Sequence, residues 1–182
     1  PYFVLYNLPL RDLGHYSKGG ATSNTDYLIF LNEFCQGIKG HKPIIIYEPD
    51  ALPHTTQMES KQSEYRINLM REGLRILTSE SDALVYVDIG HSNWLDPIEA
   101  AELITSVSND NVRGFSVNVS NYRSTEESLQ WALKVCEYNE NWHFVIDNSR
   151  NGSGPHVNDW FNPQGRSLGI PPTCDTGHDK CD

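Results

Sequence analysis

The residues best equipped for chemistry are acids that close apolar runs: Asp50 after Ile44-Ile45-Ile46-Tyr47-Glu48-Pro49, Asp88 after Ala83-Leu84-Val85-Tyr86-Val87, and Asp12 after Leu8-Pro9-Leu10-Arg11. Burying a carboxylate against such a run is costly unless it is paired, or unless it sits at the mouth of a sheet where a substrate meets it. Asp50 is therefore read as a working acid. Acid-catalysed hydrolysis by paired carboxyl groups needs one of them protonated near neutral pH and a second group that activates or positions water. Asp12 and Asp50 can form such a pair, the charge of one raising the pKa of the other. Taken alone, Glu48 and Asp50 fit equally well as caps of the helix that follows.

Positioning these acids falls to the runs themselves. Ile44-Ile45-Ile46-Tyr47, bounded by Pro43 and Pro49, has the pattern of a strand buried on both faces in a parallel sheet. Tyr2-Phe3-Val4-Leu5-Tyr6 and the segments 83–88, 113–118 and 142–147 repeat it. Amphipathic helices are expected between them. The first has Asn24 or Thr25 as cap and Gly40 as stop, and the second covers about 61–78; Asp96-Pro97 opens the third and the capping box Ser124-Thr125-Glu126-Glu127 the fourth. Gly14 to Ser23 is a Gly/Ser-rich loop with freedom to move. The strands end at Asn7, Asp50, Asp88, Asn118 and Asp147. In a parallel α/β barrel the loops after the strands converge on one rim, where active sites form. An open doubly wound sheet gathers ligands at the same edge, but no glycine-rich phosphate turn follows the first strand. The expected fold class is α/β, a distorted parallel, TIM-like (β/α) barrel, with residues 1–182 forming one domain or part of one. A sixth strand is expected, if anywhere, between Arg166 and Ile170.

With 14 basic and 24 acidic residues the net charge is −10, and no Lys/Arg cluster interrupts it, so nucleic acid is an unfavourable partner. No apolar stretch reaches the length of a membrane span, and Pro1 in place of Met points to processing or cleavage. Cys174 and Cys181 lie seven apart in a loop and are expected to pair as a local disulfide. A zinc site with His178 and Asp175 or Asp179 is disfavoured, because no second ligand pair accompanies it. Cys35 and Cys136 fall on helices as buried free thiols. The seven histidines, at 15, 41, 54, 91, 143, 156 and 178, form no ligand pair. That argues against a metal-dependent sugar isomerase or deacetylase, and neither metal nor cofactor is expected.

Flat rings occur in the same loops: Tyr6, Trp94, Tyr122, Trp142 and Trp160. Sugars stack their C–H faces on such rings while Asn, Asp and Arg bind their hydroxyls. Trp94 and Trp160 stand in polar company, beside Ser92-Asn93 and Asn158-Asp159.

Taken in order, five segments carry a resemblance: Tyr6-Asn7-Leu8-Pro9-Leu10-Arg11-Asp12, Glu48-Pro49-Asp50, Asp88-Ile89-Gly90-His91-Ser92-Asn93-Trp94, Asn118-Val119-Ser120-Asn121-Tyr122 and Asp147-Asn148-Ser149-Arg150-Asn151-Gly152. They resemble the successive signatures of family 6 glycoside hydrolases, the inverting cellulases, from Tyr2 to about Gly177. The resemblance implies a distorted (β/α) barrel acting on β-1,4-glucan, with Asp50 as general acid. It implies that Asp12 keeps Asp50 protonated and helps organise the attacking water, that Tyr6 meets the distorted sugar, and that Ser17, on a mobile loop, helps hold that water. Trp94 and Trp160 would stack sugars on either side of the scissile bond, with Asp88, His91, Asn118 and Asn121 as the polar lining.

The family barrel normally has a strand before Tyr2. After Asp182 it has a last strand carrying a Lys, a Pro-Gly-Glu and an Asp often proposed as the base. The 182 residues include neither, so a partial catalytic domain of a longer secreted protein of about 250 residues or more is expected. Where the family has cysteines after Asp12 and Trp160 this chain has Leu13 and Phe161, so neither typical family disulfide is carried over. Arg123-Ser124 leads straight from Tyr122 into a helix, where processive members have a roofing loop. An open cleft is expected, and with it a monomeric, secreted endo-β-1,4-glucanase. The alternatives are a cellobiohydrolase of the same family and a carbohydrate-binding protein without turnover.

Overall fold

In a computed structural model of the chain, which describes residues 1–155 and 161–182, five strands form one parallel sheet in sequential order. They are β1 (Tyr2–Leu5), β2 (Ile44–Tyr47), β3 (Leu84–Asp88), β4 (Gly114–Val117) and β5 (His143–Ile146). Parallel neighbours need crossovers, and these are α1 (Asn24–Gly37), α2 (Ser60–Ser79), α3 (Pro97–Val107) and α4 (Thr125–Cys136). Successive βα units that never reverse strand order are the wall of a barrel, whereas a doubly wound sheet reverses at a switch point. The α/β barrel expectation therefore holds, and all five strand ends point to one rim.

The apolar runs become strands because their side chains meet helix faces. Ile45, Tyr47, Val85, Val87, Phe115, Val117 and Phe144 join Leu31, Leu74, Leu77, Ile104, Trp131 and Val135 in one core, each such burial stabilising by about 1.5–3 kcal/mol. Inside it Tyr27 Oη donates to Tyr47 Oη at 2.8 Å, and Tyr47 Oη to the Met70 carbonyl at 3.1 Å, so both phenols are satisfied where α1, β2 and α2 meet.

Two boundaries differ from the sequence pattern. Ser23, rather than Asn24 or Thr25, caps α1: its hydroxyl accepts from Asp26 N and donates back to the Asp26 carboxylate at 2.8 Å. The segment from Arg166 to Ile170 forms no strand. Cys181 instead makes the parallel bridge to Phe144 beside β5, and the Asp182 carboxylate accepts from Arg113 Nε at 2.8 Å and Tyr86 Oη at 2.6 Å. That pairing packs Cys181 against the core while Cys174 stays exposed, so the two thiols are free and the expected Cys174–Cys181 disulfide is not formed. Cys35 and Cys136 are buried free thiols, as their helix positions require.

Candidate active site

At the strand ends the chain turns through left-handed backbone at residues other than glycine: Asp12 (φ 55°), Glu48 (49°), Asp50 (64°), Asn118 (67°) and Ser120 (54°). Each such residue costs roughly 1–3 kcal/mol and persists only where its surroundings over-determine it. Buried polar side chains supply that constraint. Glu48, with no exposed surface, accepts from Asn7 N on both carboxylate oxygens at 3.1 Å and from Leu8 N at 3.0 Å, tying the end of β2 to that of β1. Burial pushes its pKa up to about 7 despite those bonds. Asp88, equally buried, accepts from Asp50 N at 2.8 Å, Gly90 N at 3.1 Å and Ser116 Oγ at 3.0 Å. Its pKa is raised well above the carboxylate range by burial first and the Asp50 charge second. Asn118 donates to the carbonyls of Asp147 at 2.8 Å and Arg123 at 3.0 Å and accepts from Arg123 N.

Glu48 and Asp88 thereby fix the backbone that leads to Asp50 and the Asp50 amide itself. The Asp50 side chain is partly buried, and its pKa rises to about 6, through burial chiefly and through the Asp12 charge. Asp12 Oδ2 accepts from Ser17 N at 2.7 Å, which folds the Gly/Ser loop back over the acid. Arg11 holds that loop from beneath, donating to the carbonyls of Tyr6 at 2.6 Å and Ser17 at 2.7 Å, with its guanidinium 4.6 Å from the Tyr6 ring centre. Burial and the charges of Asp50 and Asp12 push the Tyr6 hydroxyl up, so it remains a donor at neutral pH. Gly20 (φ +92°) is required here: a Cβ would stand 2.0 Å from the Leu8 carbonyl oxygen. Asp50, Asp12, Tyr6 and Ser17 are thus brought together from the loops after β1 and β2.

Trp94 follows β3 and keeps some exposed surface. His54 meets its ring edge-on at 5.0 Å and His91 at a tilt at 5.7 Å, and both imidazoles are driven by burial to pKa values of about 4, hence neutral. Gly90 (φ +78°) allows this contact, since a Cβ would lie 3.1 Å from both Trp94 and Pro53.

Several sequence expectations are corrected. Asp88 and Asn118 expose no surface and His91 only 2%, so these three are struts beneath the rim rather than its lining. The polar groups of Asp88 and Asn118 are engaged by neighbouring strand ends, and His91 Nδ1 accepts from Asn93 N within its own loop. Asn121 alone of that set keeps exposed surface. Trp142 is buried edge-on to Phe115, at the opposite end of β5, and Tyr122 is buried beneath Arg150. Trp160 lies outside the described residues. Sequence patterns missed Arg11, whose only signal is its place between an apolar turn and Asp12. Glu127 was expected to turn back onto its own helix start; it accepts instead from Ser92 Oγ at 2.6 Å and Arg123 Nε at 2.9 Å, bracing the loop after β3.

Over residues 1–182 the chain matches the family model described as glycosyl hydrolases family 6. The chain belongs to glycosyl hydrolase family 6. Endoglucanase A of Thermobispora bispora is 37% identical over 187 residues, covering 100% of this chain and 41% of the relative. Endoglucanase A of Cellulomonas fimi is 36% identical over 172 residues, covering 94% of this chain and 37% of the relative. This family 6 chain therefore spans less than half the length of those two. The endoglucanase Cel6 from Mycobacterium tuberculosis, solved in complex with methyl-cellobiosyl-4-deoxy-4-thio-β-D-cellobioside, superposes with a TM-score of 0.94 at 38% identity, over 100% of this chain and 63% of that one. Among the described residues of the family 6 chain, no group of three or more His, Cys, Asp or Glu is placed to hold a metal ion.

Proposed function

We propose that this protein hydrolyses β-1,4-glucosidic bonds of cellulose or related β-glucans with inversion, cutting internal bonds, and that Asp50 is its general acid. The observation that carries the proposal is Asp50 itself, a carboxyl group at the mouth of the sheet whose pKa of about 6 keeps it protonated in mildly acid solution. It donates that proton to the glycosidic oxygen as the bond to the anomeric carbon breaks. Water adds to that carbon from the opposite face and yields its own proton to a second carboxylate, which produces inversion. Asp12 and Ser17, joined by their N–H···O bond, hold the water, Tyr6 donates to the distorted sugar, and Trp94 stacks on a neighbouring sugar with Asn121 beside it. Trp160 is the proposed second platform. The endo reading is supported by the short passage from Tyr122 to α4, which begins at Thr125, and by the two endoglucanase relatives.

A polymer of this size cannot enter a cell, so the protein is proposed to be secreted, as a monomeric catalytic domain. The test is hydrolysis of carboxymethylcellulose, followed by viscosity and by reducing sugar. Viscosity should fall early, and Asp50→Ala should lower turnover by about two to four powers of ten. Because Asp50 acts when protonated, activity should decline as pH rises through about 6. Unchanged hydrolysis by Asp50→Ala, or cellobiose as almost the sole early product, overturns the acid assignment or the endo reading respectively.

A further inference from the structure

We propose that Arg66, on the outer helix α2, is a positioning residue for the reaction: it clamps the Pro9–Leu10 turn and thereby holds the Asp12 carboxylate beside Asp50. Its guanidinium Nη2 crosses from α2 to donate to the carbonyls of Leu10 at 3.1 Å and Pro9 at 3.4 Å, 56 and 57 residues away in sequence. The turn it grips needs gripping. Leu10 (φ 56°), Asp12 (55°) and Leu13 (46°) all adopt left-handed backbone, a conformation that relaxes unless its surroundings enforce it. Arg66 is only 5% exposed, and its Nη1 is buried with no hydrogen-bond partner among the described residues. A guanidinium so placed costs more than an apolar side chain of similar volume. Scaffolding alone does not account for a cation there.

The groups around it belong to the site. Arg66, its own pKa lowered chiefly by burial, feels the charge of Glu48, at the end of β2, and sits within reach of the neutral Tyr6 hydroxyl, after β1. His54, on the turn between β2 and α2, feels Asp12, Arg66 and His15 together. Asp50 responds to burial and to Asp12, and Asp88, at the end of β3, lies against its amide and is itself raised by burial and by the Asp50 charge. If the turn relaxes, Asp12 moves off and Asp50 loses the neighbour that helps keep it protonated. Losing the Arg66 charge by itself would act in the opposite direction, since removing a cation raises a carboxyl pKa. The sign of the change therefore separates positioning from a direct field.

The experiment is titration of the Asp50 carboxyl by carbon-13 NMR in the wild type, Arg66→Met, Arg66→Lys, Asp12→Asn and the Arg66→Met/Asp12→Asn double variant, with thermal melts to establish folding. Arg66→Met should move the Asp50 midpoint down from about 6, as Asp12→Asn does, and the double variant should move it no further. Arg66→Lys, whose ammonium lacks the planar fork, should fall between. Kinetically, Arg66→Met should lose more activity at pH 7 than at pH 5. A folded Arg66→Met with an unmoved or raised midpoint overturns the proposal. If that variant does not fold, an Asp50 midpoint unmoved in Arg66→Lys does so. The kinetic arm rests on the proposed glucanase reading, but the titration needs no turnover. A wild type without glucan hydrolysis whose Asp50 titration still follows Arg66 would sink the activity and leave the positioning intact.

Discussion

Asp88 is where tertiary structure and sequence pattern make opposed predictions, so Asp88→Asn is the informative perturbation. The buried carboxylate accepts three bonds, from Asp50 N, Gly90 N and Ser116 Oγ. Asparagine keeps one oxygen for the two backbone donors, and the Ser116 hydroxyl can rotate to accept from the new amide. What is lost is one net hydrogen bond's worth of geometry on the second oxygen, about 0.5–1.5 kcal/mol. Alanine strands all three donors in a dry interior at about 1–3 kcal/mol each, a large share of the roughly 5–15 kcal/mol that stabilises a typical domain. Asp88→Asn should therefore fold with reduced stability, whereas Asp88→Ala should approach unfolding. In the Asn variant the left-handed backbone at Asp50 keeps a tether to the one remaining oxygen, but repacking around the new amide shifts it, and a misplacement of about 1 Å at a reacting group can cost around a hundredfold in rate. The expected result is a kcat lowered by about ten- to a hundredfold with KM unchanged, because Asp88 presents no surface to a sugar. Urea unfolding and steady-state kinetics on carboxymethylcellulose read both quantities. A raised KM with stability and kcat intact would refute this reasoning and restore Asp88 to the sugar-binding surface.

Glu48 is pushed from 4.5 to about 7 by burial, so its contribution to stability is fully present below the unfolded value and is lost as pH rises through about 7. The difference is on the order of 3 kcal/mol. Glu48→Gln keeps an acceptor for Asn7 and Leu8 and removes the charge, so urea unfolding at pH 5 and pH 8 should show a flatter pH dependence than the wild type; parallel curves would count against the buried-carboxylate account. Gly20→Ala should displace the Asp12–Ser17 loop, because its Cβ meets the Leu8 carbonyl oxygen and its backbone is left-handed. Activity should drop with little change in the melting of the sheet, and an unaltered kcat/KM would show that the loop's place does not matter to catalysis.

The strands, the helices and the rim were legible because each depends on local pattern. Ile44-Ile45-Ile46-Tyr47 must hide both faces, Asp96 and Ser124 cap the helices they precede, and five strands ending in carboxylates or amides share an end of the sheet. The Ser23 cap was misplaced by one or two residues because Ser23, Asn24 and Thr25 are all competent caps, and only the bonds to Asp26 choose among them. The disulfide expectation failed because spacing along the chain says nothing about side-chain direction. Pairing with Phe144 packs Cys181 against the core and leaves Cys174 outside.

By itself, then, the order of residues determined which groups could do chemistry: Asp50, Asp12, Tyr6 and Ser17 gather at the rim because strand period and parallel crossover leave them no other end of the sheet. Only tertiary structure decided which polar residues stay exposed at the rim and which lie beneath and hold up those that do. Asp88, Asn118 and His91 have the same composition and spacing as a sugar-binding lining. They differ in being buried, and for Asp88 and Asn118 the cover comes from neighbouring strand ends 28 to 38 residues away in sequence. Burial, moreover, sets the protonation of Glu48 and Asp50, and burial is not written in any one stretch of sequence.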